Sequence, residues 1–214
     1  MVQLLPECRL VASGRLGFSL SSDWDSHAYL LCGDSEAVLI DTGSGRDVEA
    51  TADRIARSLG GRDLVAIVLT HAHVDHSGGA AALSERFGAP VYAHPVAREW
   101  LATGDEDAVG LSEARAAGVY PPDQVLRPVP LVRGIEDSIT VDGLELRAHR
   151  TPGHSLDHVV YTAELDAGRA MFSGDLVFAQ GRVAILDTRD TDVVRYEESI
   201  RAMNELAPDM LFPG

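Results

Sequence analysis

Thr70-His71-Ala72-His73-Val74-Asp75-His76 places three imidazoles and one carboxylate within six residues, directly after the apolar run Leu64–Leu69. Imidazole nitrogen and carboxylate oxygen are the donors that borderline divalent metals take. Side chains alternate along an extended segment, so His71 and His73 are expected on one side, able to share an ion. Asp75 and His76 fall where the chain turns into the next helix and can present donors to a neighbouring position.

Outward from this stretch the chain alternates strand and helix. Arg9–Ser13, Ala28–Cys32 and Val38–Ile40 read as strands, and the last ends at Asp41-Thr42-Gly43. Val48, Ala52, Ile55 and Leu59 recur at helical spacing, and Gly60-Gly61 stops them, giving a helix over about 47–59. Leu64–Leu69 is a buried strand, and a helix over about 79–87 follows with Ser77 as its expected N-cap. Val91–Ala93 is the next strand. This order implies an α/β layered fold. Pro95–Pro130 reads as an irregular, lid-like insertion with short helical patches near Leu111–Ala117, containing Trp100 and Tyr120. Strands resume at Ser138–Val141, Leu144–His149, His158–Thr162, Ala170–Ser173 and Arg182–Leu186, with Asp142-Gly143 as a hairpin turn. A helix over about 193–206 and a strand at Met210–Phe212 close the chain. The 214 residues are read as one domain.

Composition narrows the function. The chain carries 33 acidic and 18 basic residues, a net charge of −15, and every basic residue is arginine. Lysine chemistry is excluded, and a phosphate-backbone partner, which needs a basic face, is not expected. Two cysteines, Cys8 and Cys32, are too few for a disulfide framework or a thiolate zinc site. No apolar run approaches the ~18 residues of a membrane span, and no basic start leads into an apolar stretch. No membrane partner is expected, and the expected location is the cytoplasm.

The 70–76 stretch resembles the signature of the metallo-β-lactamase superfamily. Asp41 in Leu39-Ile40-Asp41-Thr42-Gly43, His154 in Thr151-Pro152-Gly153-His154-Ser155 and Asp175 in Ser173-Gly174-Asp175 resemble other motifs of that family, in its order. The resemblance covers roughly residues 28–214. It implies an αββα sandwich: two mixed β-sheets with helices on the outer faces and metals at one edge. It also implies that His71, His73 and His154 bind one ion, that Asp75 and His76 bind a second, and that Asp175 bridges them. Asp41 would support the site without binding, and His158 would be structural. His27, His94 and His149 have no motif support.

The implied activity is hydrolysis of a small ester, thioester or lactone by a metal-bridging hydroxide, with Asp75 as the catalytic carboxylate. Two divalent ions are implied, zinc first, with iron or manganese as alternatives. A hydroxyacylglutathione hydrolase-like or lactonase-like branch is the nearest in pattern. Arg182 and Arg189 are candidate contacts for a substrate carboxylate, and a homodimer is an open option. The family's closing histidine has no counterpart before Pro213-Gly214. The sequence is therefore expected to be cut short there, and the second ion to bind more weakly than the first. That departure keeps two alternatives open: a mononuclear iron persulfide dioxygenase using His71, His154 and Asp175, and an inactive truncated member.

Overall fold

In β3 (Ala28–Cys32) and β4 (Glu36–Ile40) nearly every residue is buried, because both faces of these strands are covered. Leu30, Cys32, Ala37 and Leu39 point into a core shared with helices. Tyr29, Leu31, Val38 and Ile40 point into a second core between two sheets. The computed structural model describes residues 1–186 and 188–214. The first sheet adds β1 (Val2–Gln3), β2 (Cys8–Ala12), β5 (Asp63–Val68), β6 (Val91–Ala93) and β7 (Val132–Gly134), and its spatial order is its chain order. Pairing is antiparallel from β1 to β4 and parallel from β4 to β7.

The second sheet holds β8 (Ser138–Val141), β9 (Leu144–Arg150), β10 (Val159–Leu165), β11 (Gly168–Gly174) and β12 (Met210–Pro213), in the order β12-β11-β10-β9-β8. It is antiparallel except where β12 joins β11 in parallel. Tyr161 and Phe172 face the inter-sheet core, while Val160 and Met171 face outward under Tyr196 and Met203. Those two residues belong to α6 (Val193–Glu205), whose first turn Asp192 caps by accepting from the backbone N–H groups of Val194 and Arg195. On the far side, α1 (Val48–Leu59), the single turn α2 (Val74–Ser77) and α3 (Ala80–Phe87) cover the first sheet. The layers are thus helix, sheet, sheet, helix, as the alternation along the strands requires. No helix among the described residues is long and apolar enough to cross a membrane.

Three local expectations are corrected. Ser77 does not cap α3: it ends α2, its hydroxyl donates to the Ala72 carbonyl, and the N-cap of α3 is Gly79. The aliphatic stretch 182–186 is not a strand; only Arg182 pairs, with Phe178. The place beside β11 is taken by β12, so Val183 and Ile185 stay exposed. The 95–130 segment has the helical patch expected near Leu111–Ala117 but is otherwise more regular than expected. Parallel β6 and β7 need a long crossover, and this one contains α4 (Ala97–Thr103) and α5 (Leu111–Ala116). Its Ala97, Leu101, Leu111, Leu126 and Val129 are buried in the helix-side core.

Candidate metal centre

The C-terminal ends of β4, β5, β9 and β11 converge at one edge of the two sheets, and each passes into a loop carrying imidazoles or carboxylates; the loop after β9 leads into the start of β10. After β5, residues 71–73 stay outside regular structure and His73 is the N-cap of α2. His71 Nε2 lies 3.0 Å from His73 Nδ1, which lies 3.1 Å from His154 Nε2. Two nitrogens bound tetrahedrally at ~2.0–2.1 Å stand about 3.3 Å apart, so this spacing suits one shared ion. The donor atoms of His71, His73 and His154 all lie within 4.8 Å of one another, and so do those of His71, His76 and Asp175.

Asp175 stands between the two groups. Its Oδ1 is 3.1 Å from His76 Nε2, and its Oδ2 is 3.6 Å from His154 Nε2. Asp75 Oδ2 is 3.6 Å from His76 Nε2. Gly174 makes the placement of Asp175 feasible. Its φ is +48°, and a Cβ there would stand 2.8 Å from His158 Nε2 and 2.9 Å from Thr70 Cβ.

The donor set fits a cation on one further observation. His76 Nε2 and Asp175 Oδ1 are both buried without a hydrogen-bond partner, although they face each other. An orphaned buried polar atom costs about 1–3 kcal/mol; a divalent ion between them would remove that cost for both.

Each imidazole is held by its other nitrogen, which fixes the ring and aims its free donor at the site. His76 Nδ1 meets Asp41 Oδ2 at 2.8 Å, His71 Nδ1 meets Thr70 Oγ1 at 3.1 Å, and His154 Nδ1 donates to the Ala184 carbonyl at 3.3 Å. His73 Nε2 faces Asp190 Oδ2 at 3.4 Å. Asp41 also accepts from the backbone N–H and the hydroxyl of Thr70, both at 2.8 Å. Asp41 lies outside both donor groups and bridges His76 to Thr70. His158 lies outside both donor groups: its Nε2 accepts from the Asp175 N–H at 3.2 Å, and its Nδ1 meets Thr151 Oγ1 at 2.8 Å.

Electrostatics separate the rings. Burial, then the nearby His76, His73 and His154, pushes His71 well below the usual imidazole range. Burial likewise lowers His154 and His158. Burial would also lower His76, but the carboxylates of Asp175, Asp75 and Asp41 outweigh it and hold the ring well above that range. For Asp175 burial is outweighed by His76, which holds the carboxyl below its ordinary range.

Several residues at the site carry no signal in the sequence. Ser26 Oγ and the Tyr120 hydroxyl donate to the two oxygens of Asp75 at 2.7 and 2.8 Å. Buried Asp157 accepts from the Ala72 N–H and from Ser155, both at 2.8 Å, tying the 71–73 loop to the 154–158 loop. A cavity of about 390 Å³ opens onto His73, Asp75, His154 and Asp175. Arg182 and Arg189 do not line it; Arg189 Nε pairs with Glu113 Oε1 at 2.9 Å on the exposed surface. His27, His94 and His149 lie outside the two donor groups and have partners of their own.

Known proteins share this architecture. A probable metallo-hydrolase of Methanocaldococcus jannaschii is 31% identical over 195 residues, covering 89% of this chain and 87% of the relative. A hydroxyacylglutathione hydrolase of Cupriavidus taiwanensis is 34% identical over 146 residues, covering 68% of this chain; the matched part spans 46% of that longer protein. The crystal structure of the B3 metallo-β-lactamase BLEG-1 superposes with a TM-score of 0.70 at 32% identity, covering 88% of this chain and 85% of that one. The sequence model of the metallo-β-lactamase superfamily matches residues 22–214. With its layered sheets and its converging imidazoles, the chain belongs to the metallo-β-lactamase superfamily.

Proposed function

We propose that this chain is a binuclear, metal-dependent hydrolase of small carboxylic esters, thioesters or lactones, with zinc as the first choice of metal. The observation that carries the reading is the convergence of His71, His73 and His154 on one point and of His76 on another, with Asp175 between them. Divalent ions held there would polarise a substrate carbonyl and lower the pKa of water from ~15.7 to about 7.

The protein's own residues supply the rest. Asp75, fixed through both oxygens by Ser26 and Tyr120, is placed to orient a water, take its proton and return it to the leaving group. Asp41 and Asp190 hold their histidines against rotation, so little reorganisation is needed during reaction. The cavity beside Asp75 and His154 gives the substrate a place next to these side chains.

Elemental mass spectrometry on protein purified without added metal, combined with an ester, thioester and lactone screen, tests this. About two zinc ions per chain and measurable hydrolysis are expected. Asp75→Ala should lower turnover on the order of 10²–10⁴-fold while the circular dichroism spectrum is retained. One iron per chain with oxygen uptake on a persulfide, or unchanged rates in Asp75→Ala, would overturn the reading.

A further inference from the structure

The cavity beside the metal centre has two unlike ends. One end is formed by His73, Asp75, His154 and Asp175. The rest is aliphatic or small: Val109, Leu111, Ala114, Ala117, Val119 and Leu186 among its walls. Most of these come from α5 and the turns flanking it, inside the β6–β7 crossover. Among the described residues, the only charged lining side chain away from the metal-facing end is Glu113, and it is anionic. Among the described residues that line the cavity there is no arginine. Glu113 is also paired with Arg189, and that arginine side chain is 90% exposed, outside the cavity.

We infer that this cavity is an acyl-chain pocket that selects an uncharged aliphatic acyl group, with α5 setting how long a chain it accepts. The inference rests on the hydrolase reading and adds the substrate class. A carboxylate-ended chain would leave water to meet the anionic Glu113 and Asp75, with no lining cation among the described residues and with Arg189 already paired to Glu113 outside the cavity. A thiol or alcohol bearing carboxylates or phosphates is equally unmatched, so the charged half of such a substrate stays outside and the apolar half enters. Volume agrees: about 390 Å³ lies within the range of small-molecule sites and exceeds what an acetyl group needs. Tyr120 closes the junction between the two ends, its hydroxyl on Asp75 and its ring packed against the helix-side core. The scissile bond is thereby set beside Asp75 while the chain runs along α5. Hydrolysis then consumes one water, breaks the acyl C–O or C–S bond and releases the carboxylic acid and the alcohol or thiol.

The test has two arms. In the first, kcat/KM of the metal-loaded enzyme is measured for p-nitrophenyl acetate, butyrate, hexanoate and octanoate, and for the mono-p-nitrophenyl ester of adipic acid. Each buried methylene should raise kcat/KM about fourfold until the pocket is full. The adipate ester should be on the order of 100-fold slower than the hexanoate. Ala114→Trp and Ala117→Trp, which fill the pocket from α5, should abolish the preference for longer chains. In the second arm, equilibrium dialysis of metal-free protein against octanamide, a neutral probe, should show binding that Ala114→Trp removes. Ester hydrolysis with no dependence on chain length, or equal rates for adipate and hexanoate, would overturn the pocket assignment and leave the hydrolase reading standing. Octanamide binding without hydrolysis of any ester would overturn the hydrolase reading and keep the pocket.

Discussion

Asp41 Oδ2 lies 2.8 Å from His76 Nδ1, with both side chains buried. The same carboxylate accepts twice from Thr70, so it joins the end of β4 to the loop after β5 and aims His76 Nε2 at Asp175. Asp41 holds this position at φ +59°, a conformation that asparagine tolerates nearly as well. Asp41→Asn should therefore fold. It loses the charge that supports His76, and affinity at the His76–Asp175 position should fall about 10–100-fold while the three-histidine position keeps its ion. Competition with a chromophoric chelator would resolve the two steps; equal weakening of both would contradict the assignment.

His158 is fully buried and bonds to Thr151 and to the Asp175 N–H. His158→Gln keeps polar atoms near these partners without matching the ring. It should cost about 1–3 kcal/mol, which lowers Tm by roughly 3–10 °C in a chain of this size. Metal stoichiometry should be unchanged, and a lost equivalent would show that the ring is a ligand.

Asp142 gives a pH signature away from the site. It accepts from the backbone N–H groups of Ser35 and Glu36, tying the β8–β9 hairpin to the β3–β4 turn. Those hydrogen bonds hold its carboxyl below the ordinary range. A group depressed in the folded state stabilises fully above its unfolded value, ~3.9, and loses that contribution as pH falls through the folded value. Wild type should exceed Asp142→Asn in urea midpoint at pH 7, and the gap should close below about pH 3.9. A gap independent of pH would assign the effect to turn geometry instead.

How far the sequence could be read follows from where each residue's partners lie. His71, His73, Asp75 and His76 fall within six positions, and one loop and the turn after it bring them together, so their chemistry shows in the order of residues. Asp142-Gly143 announces its turn locally, and both residues adopt positive φ. His154 and Asp175 are read through the family pattern, because nothing local distinguishes them from other loop residues. Asp157, Tyr120, Ser26 and Asp190 meet partners 85, 45, 49 and 117 positions away, and no local pattern encodes such meetings. Ser77 shows the opposite failure: a good capping residue is drawn to the Ala72 carbonyl by an extra helical turn that the spacing did not reveal. The 182–186 stretch has the composition of a strand but no free neighbour to pair with.

The donors are divided between the two halves of the polypeptide. His71, His73 and His76 follow β5 of the first sheet, whereas His154 and Asp175 flank β10 and β11 of the second. During synthesis, a ribosome carrying only the first hundred or so residues would hold histidines without their counter-donors. Neither donor group is complete until the second sheet has docked on the first. Capture of an ion at either donor group would therefore come late, as a seal set on an assembled protein and not a seed around which it gathers.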